Sequence, residues 1–257
     1  MTYLVICGIA LLASCLTFFS GFGLGTLLLP AFALFFPIEQ AIAMTAVVHM
    51  LNGLFKLALV GRHAHRPTVL RFGLPAIVAA LVGAWVLQWL TGLAPVFRYE
   101  AFGHALAATP VKLVVGLLLL VFALFELLPR LRDLTFPSSW MPIGGLLSGF
   151  FGGLAGMQGA LRSAFLVRAG LSKEAFIATG VVTAVLVDVS RLGVYARSLA
   201  HVGDGLDYPL LTAAILSAFL GAFVGNRFLK QMTMPGLQRL VAASLFIAAL
   251  GLIAGVL

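Results

Sequence analysis

The chain has 257 residues, of which 62% are hydrophobic and 9% are charged, and its formal net charge is +8. So little polar surface cannot cover a water-soluble globule, which excludes a soluble enzyme and predicts a protein that uses lipid as its solvent. The positive charge does not indicate nucleic-acid binding, because the basic residues are spread along the chain and mostly flank apolar runs, as orientation in a membrane requires.

The first two apolar runs, 3–19 and 22–36, predict a broken hairpin over 3–36. The second run is too short to cross about 30 Å of hydrocarbon, and it begins inside a glycine cluster. Glycine permits sharp bends and close backbone approach, so Gly23 and Gly25 are candidate backbone contacts for a ligand. No Lys or Arg precedes the first run, so we expect a membrane segment rather than a cleaved signal peptide.

The next run, 39–60, predicts a spanning helix with a polar stripe. Thr45, His49, Asn52 and Lys56 follow one another at spacings of four, three and four, which places them on one helical face. Ionisable groups at membrane depth are expensive and usually functional. Two ordinary interpretations stay open: Lys56 can extend to the interface near its helix end, and His49 can be a core histidine rather than a proton carrier.

Two further spanning helices are predicted at 69–91 and 111–129. A polar linker, 130–139, follows, and its arginines place it on the cytoplasmic side. It separates the two halves of the chain.

A second broken hairpin is predicted over 140–170, again at a glycine cluster that includes Gly156 and Gly159. Arg162 comes just after the break, at the start of a half-helix whose free N–H groups carry partial positive charge. An anion would be favoured there, and two neighbouring polar residues can complete its shell: Gln158 and Ser163. The alternative is that Arg162 faces the cytoplasm as an orientation charge.

The helix predicted at 173–199 carries a second polar stripe. Thr179 and Thr183 lie one turn apart, and Asp188 and Arg191 are three residues apart and able to pair. This pair is either a structural ion pair or part of a site in which Asp188 sets the charge of Arg191 or carries a proton. Arg191 can also extend to the interface.

The two halves resemble each other in sequence. Residues 40–48 and 174–182 keep an alanine, a threonine and a Val-Val pair in register, and the same offset aligns Gly25 with Gly159. A duplication of this length in a membrane protein is typical of transporters.

Helices predicted at 207–229 and 236–256 complete the second half. Residues 1–129 and 140–257 then each contain a broken hairpin and three spanning helices. If the arginine-containing loop after residue 60 is cytoplasmic, most other basic residues fall on that side and both termini lie outside. An odd number of crossings per half places the halves in opposite orientations. The predicted fold is an all-α polytopic membrane protein with two inverted repeats.

The glycine-broken hairpin ending at Pro30, the stretch 41–48 with Asn52, and their counterparts in the second half resemble the TauE/SafE sulfite exporters, also called 4-toluene sulfonate uptake permeases. The resemblance covers essentially the whole chain. It implies a carrier of sulfur oxyanions or sulfonates in a bacterial inner membrane, driven by an ion gradient. One departure is that the second hairpin has Arg162-Ser163 and no proline where the first has Pro30.

Together these features lead to the hypothesis that an anion such as sulfite or sulfoacetate binds between the hairpin tips and that the two halves alternate its access. The residues expected to hold the anion are Arg162, Gln158, Ser163, Asn52, Thr45, His49, Thr179, Thr183 and Arg191, with the backbone of Gly23, Gly25, Gly156 and Gly159. The candidates for coupling to a proton or sodium gradient are Asp188, His49 and Lys56. We expect no catalytic residue, metal, cofactor or nucleic-acid partner, and a homodimer stays open.

Three alternatives remain. A carrier for another anion, such as a carboxylate, fits the same pattern, and a metal-ion carrier fits less well because the polar residues in the apolar runs are mostly basic. A channel would have the same topology without coupling to a gradient. A membrane enzyme is disfavoured because no nucleophile, metal cluster or redox pair converges in the sequence.

Overall fold

The computed structural model describes residues 1–16, 24–101, 104–132, 134–202, 207–228 and 235–257. The described chain is mainly α-helical, and the predicted class, an all-α polytopic membrane protein, is confirmed. The helices are α1 (Thr2–Leu16), α2 (Leu24–Ala33), α3 (Ile38–Val60), α4 (Arg66–Thr91), α5 (Pro110–Leu127), α6 (Pro129–Arg132), α7 (Met141–Ala155), α8 (Gly159–Leu166), α9 (Lys173–Val202), α10 (Tyr208–Phe228) and α11 (Pro235–Ile253).

Among the described residues, four stretches are long and apolar enough to cross a membrane: Ile38–His63, Arg66–Thr91, Lys173–Ala196 and Tyr208–Arg227. They coincide with four of the six predicted spans. The other two predicted spans, 111–129 and 236–256, correspond to α5 and α11, which have 18 and 19 residues. Both predicted hairpins are pairs of short helices, with α1 and α2 in the first half and α7 and α8 in the second.

Proline defines several helix starts. Pro110 occupies the first turn of α5, where its missing N–H costs nothing, and the Thr109 side chain accepts a hydrogen bond from the Lys112 N–H at 3.4 Å. Pro30, by contrast, lies inside α2. The first hairpin therefore continues as a helix through the proline that the sequence suggested as its end.

A short β-hairpin between α4 and α5 was not predicted. Strands β1 (Phe97–Ala101) and β2 (His104–Ala108) pair antiparallel. The hairpin is fastened to the end of α11, because the Tyr99 hydroxyl donates to the carbonyl oxygen of Ala254.

The helices of the first half pack against those of the second half in a reciprocal pattern. Helix α4 packs against α7 and, in the matching positions, α10 packs against α1. The contact of α4 with α9 likewise corresponds to that of α10 with α3. Two further contacts, α3 with α9 and α5 with α11, each join equivalent helices of the two halves. Exchanging the halves leaves these contacts unchanged, although the contact of α2 with α11 has no comparable counterpart between α8 and α5. The division into repeats at 1–129 and 140–257 stays a prediction.

Helices α4 and α7 approach each other at backbone distance. Three glycines of α7, spaced four residues apart, face α4, and a Cβ atom on any of them would overlap a carbonyl oxygen of that helix. The pairs are Gly145 with Phe72, Gly149 with Ala76, and Gly153 with Ala80. In lipid, where no hydrophobic effect drives helices together, such small residues permit the close packing that holds them.

We predict that Gly149→Ala destabilises the protein, because the added methyl group would overlap the backbone of Ala76. Overpacking of this kind costs about 1–3 kcal/mol. Gly193→Ala is the matched control: Gly193 also lies within a helix, α9, but a Cβ there meets nothing within 4 Å. The apparent melting temperature in detergent should fall for Gly149→Ala and stay unchanged or rise for Gly193→Ala. Equal melting temperatures would contradict the proposed backbone contact.

Candidate functional site

The two polar stripes face each other across the contact between α3 and α9. His49 meets Asp188, and a Cβ on Gly53 would lie 3.0 Å from the side chain of Val185, so the helices run antiparallel at this contact. An α-helix rises 1.5 Å per residue. Thr45, one turn before His49, therefore lies level with Arg191, which is one turn after Asp188.

Asp188 is the centre of the site, and its carboxylate is fully buried. Its Oδ2 atom lies 2.6 Å from Nδ1 of His49. Its Oδ1 atom accepts a hydrogen bond from Nε of Arg191 at 3.0 Å and one from Nε2 of Gln158 at 3.4 Å, and it also lies 2.9 Å from Nη2 of Arg191. The carboxylate thus joins α3, α9 and the tip of the second hairpin.

Arg162 is connected to this centre through Gln158. Its Nη1 atom donates to Oε1 of Gln158 at 3.3 Å, while the other end of the same amide reaches Asp188. The Gln158 backbone is fixed in turn, because its carbonyl accepts from the Ser148 hydroxyl at 2.9 Å. Arg162 is 3% exposed, so it is a buried group of the helix bundle and not a charge facing bulk water.

The start of α2 touches the glycine-rich tip of the second hairpin beside these residues. Gly156 ends α7 with φ at 76°, a left-handed conformation that favours glycine. A Cβ there would lie 2.7 Å from Nη1 of Arg191. A Cβ on Gly25 would lie 3.1 Å from the Gly156 carbonyl oxygen and 3.4 Å from Cδ2 of His49. Neither glycine can be enlarged without displacing Arg191, His49 or the opposite hairpin.

The other two predicted hairpin glycines are placed differently. Gly159 is buried at the first position of α8, and Gly23 lies outside the described residues.

Two buried polar atoms, Oγ1 of Thr45 and Nη1 of Arg191, make no hydrogen bond within the described residues, while Nη2 of Arg191 is in ion-pair contact with Oδ1 of Asp188 at 2.9 Å. Both side chains are at most 1% exposed. A buried donor without a partner costs about 1–3 kcal/mol, so such groups usually have a use. These donors lie at one level, on facing helices, and an oxyanion could satisfy them.

Three of the predicted site residues, Asn52, Thr179 and Thr183, have hydrogen bonds to groups other than Asp188. Asn52 accepts a hydrogen bond from the Ser14 hydroxyl of α1 at 3.1 Å, and Thr179 accepts one from the backbone N–H of His65 at 2.9 Å. Thr183 donates to the Thr179 carbonyl at 2.9 Å. Ser163 is half-buried on α8. Asn52 thus connects α3 to α1 and Thr179 connects α9 to the loop before α4, whereas the Thr183 bond stays within α9.

Lys56 is buried on α3 and lies within range of electrostatic repulsion from Arg162. The alternative in which it extends to the membrane interface therefore does not describe its position. It belongs to the same buried polar region as the network around Asp188.

Two participants were not predicted from the sequence. Tyr195 is buried close to Arg191, and its hydroxyl donates to the carbonyl oxygen of Gly153 on α7. Its position four residues after Arg191, on the same face of α9, was a signal that could have identified it. Ser148 carried no such signal, because its role depends on how α7 folds back on Gln158.

Within the described residues, no group of three or more His, Cys, Asp or Glu side chains could hold a metal ion. The buried polar side chains of the network are mainly hydrogen-bond donors, which suit an anion.

The comparisons with known proteins gave one match. The model of a protein family described as sulfite exporter TauE/SafE matches residues 6–252. No curated protein and no solved structure matches the chain.

We predict that Asp188→Asn strongly destabilises the protein, because it leaves the buried Arg191 guanidinium without its counter-charge. Removing one partner of a buried ion pair costs about 3–5 kcal/mol. The double variant Asp188→Asn with Arg191→Met should recover part of this loss, measured as the melting temperature in detergent. Asp207→Asn serves as the control: Asp207 accepts from the Leu210 N–H, which an amide oxygen can also do. A double variant less stable than Asp188→Asn would contradict the ion-pair interpretation.

Proposed function

The chain belongs to the sulfite exporter TauE/SafE family, whose members are membrane transporters of sulfite or related anions, and we propose that it is a secondary carrier of sulfite or an organosulfonate such as sulfoacetate. The observation that carries this proposal is the buried guanidinium of Arg191 beside Gly156, whose Nη1 atom makes no hydrogen bond within the described residues.

The proposed binding position lies between α3, α9 and the tips. Arg191 can hold an oxyanion through its Nη atoms, and the Thr45 hydroxyl at the same level can donate a further hydrogen bond. The free N–H groups at the start of α8 add partial positive charge from the second hairpin. Arg162 contributes charge from the same half-helix. In this arrangement Arg191 is the direct ligand and Arg162 supports it electrostatically.

Alternating access follows from the placement of the site at a contact between the two halves. Gly25 of the first half touches Gly156 and His49, so movement of one hairpin tip relative to the other would open or close the site. The reciprocal packing of the halves supplies two equivalent sets of contacts for such a movement.

Coupling to an ion gradient is proposed to use the titratable groups of the network. The His49 ring touches Asp188 through Nδ1, and it is 15% exposed, so Nε2 remains for a proton or a ligand. Lys56 is a second candidate on the same helix. Sodium is less well supported, because Asp188 already contacts two cationic or potentially cationic groups.

We further propose a bacterial inner-membrane location with both termini on the periplasmic side, which places the loop after α3 in the cytoplasm. A carboxylate carrier or a channel is the alternative. Accumulation of substrate against its concentration gradient would distinguish a coupled carrier from a channel.

We predict that Arg191→Gln lowers transport of sulfite and sulfoacetate in proteoliposomes by at least about tenfold, the effect of losing one charged hydrogen-bonding group of roughly 1.5–3 kcal/mol. Arg162→Ala should reduce it less. Arg71→Gln is the control, because Arg71 is exposed on α4. Full transport by Arg191→Gln would remove Arg191 from the site, and unchanged transport by Arg162→Ala would do the same for Arg162.

We predict that Thr45→Val lowers substrate affinity about fivefold to tenfold without loss of stability. Valine has nearly the same shape as threonine and removes a buried hydroxyl that has no partner among the described residues, so the melting temperature should hold or rise. Thr183→Val is the matched control, since the Thr183 hydroxyl is bonded within its own helix. Affinity can be measured by isothermal titration calorimetry. Equal affinities of Thr45→Val and the wild type would exclude the hydroxyl as a ligand.

A further inference from the structure

We infer that Tyr195 is a positioning residue of the anion site: its hydroxyl holds the tip of the second hairpin against Arg191 and thereby determines how tightly the anion binds. The inference rests on the proposed function, because it names a residue that acts on the same site through Arg191. It follows from the contacts between α9 and the end of α7.

Arg191 lies between two partners on one face of α9. Asp188, Arg191 and Tyr195 follow one another at spacings of three and four, which align their side chains along the helix. Asp188 contacts the Nε and Nη2 atoms of the guanidinium, and the buried Tyr195 lies close to the same side chain. The carboxylate thus fixes one edge of Arg191, and the atom that remains to be positioned is Nη1.

The Tyr195 hydroxyl donates to the carbonyl oxygen of Gly153, near the end of α7. In a continuing helix the Met157 N–H would bond to this carbonyl, but it bonds to the carbonyl of Phe151 instead, at 3.3 Å. A buried acceptor that loses its partner is costly. The tyrosine therefore supplies a partner for Gly153 that the end of the helix does not.

The position of Gly153 determines that of Gly156. On the side of α4, a Cβ on Gly153 would lie 2.1 Å from the carbonyl oxygen of Ala80, so this residue is held between α4 and α9. Gly156 follows three residues later, and a Cβ there would lie 2.7 Å from Nη1 of Arg191. Because less than one helical turn separates the two glycines, the bond from Tyr195 positions the backbone against which Nη1 packs.

This packing bears on the affinity of the site. Nη1 of Arg191 makes no hydrogen bond within the described residues, and it is the donor proposed for the anion. A guanidinium that is already ordered on both edges loses little freedom when the anion binds, which favours tight binding. Without the Tyr195 hydroxyl, the tip at Gly156 could move away, and Nη1 would have to be ordered by the anion itself.

The first half of the chain has no counterpart to Tyr195 at the matching position. The offset that aligns Gly25 with Gly159 places Gly61 opposite Tyr195, and glycine has no side chain that could make such a bond. The tether therefore agrees with the unequal contributions of the two hairpins to the site.

The test uses Tyr195→Phe, which removes the hydroxyl and keeps the ring. Sulfite transport by the full-length protein in proteoliposomes is measured over a range of concentrations, and sulfoacetate binding in detergent is measured by isothermal titration calorimetry. We expect KM and Kd to rise about fivefold, the effect of one lost hydrogen bond, while the maximum rate per folded transporter changes less than about twofold. A merely structural role would lower the melting temperature and the yield of folded protein without changing KM or Kd.

Tyr99→Phe is the matched control, because the Tyr99 hydroxyl also donates to a carbonyl near a helix end, that of Ala254 after α11. It should leave KM and Kd unchanged. If Tyr195→Phe does not fold, two synthetic residues at position 195 replace it. There, 4-methylphenylalanine fills the space of tyrosine without a donor and should bind weakly, whereas 4-aminophenylalanine restores an N–H donor and should restore the wild-type affinity.

A double variant shows whether the tyrosine acts through Arg191. In the Arg191→Gln background, Tyr195→Phe should weaken sulfoacetate binding by less than about a further twofold, because interacting residues have non-additive effects. An equal loss in both backgrounds, or unchanged KM and Kd in Tyr195→Phe, would overturn the inference and leave the carrier function intact. If the wild type neither binds nor transports sulfite or a sulfonate, the proposed function fails, and the inference fails with it.

Discussion

A carboxylate buried among cations, at a helix contact deep in an apolar bundle, is the interaction on which the site depends. Asp188 is fully buried, and removing its charge would leave the buried Arg191 guanidinium without a counter-charge in an interior that solvates ions poorly. By contacting His49, Arg191 and Gln158 it also joins three separate elements of the fold. The side chains of His49, Arg191 and Gln158 are positioned by their contacts with this one carboxylate.

Glycine makes that arrangement sterically possible. At Gly156 the chain turns with a positive φ directly against the Arg191 guanidinium, and Gly25 allows the first hairpin to approach the same point. On α7, Gly149 belongs to a row that brings the helix to backbone contact with α4. The second hairpin is therefore held tightly on one side and presents its tip to the polar cluster on the other.

The two hairpins contribute unequally to the site. The second supplies Gln158 and Arg162, whereas the described part of the first reaches the site through the backbone of Gly25. The helices of the two halves thus pack reciprocally, while the polar side chains that the hairpins supply to the site are distributed asymmetrically. This combination suits a carrier, since equivalent contacts permit two similar conformations while the charged residues of one half keep hold of the anion.

The sequence by itself determined the class of the protein and the extent of its helices, because hydropathy and helical period are local properties. The run predicted at 39–60 is Ile38–Val60, and His49 and Asp188, one residue from each predicted stripe, meet between α3 and α9. Tertiary structure alone decided which polar residues meet: Asn52 is bonded to Ser14, and Thr179 to the loop at His65, so neither joins Asp188. The β-hairpin at 97–108 also escaped prediction, because its short strands are fastened by a contact with the distant end of α11. Helical period fixes the face on which a side chain lies, but its partner depends on which helix packs there.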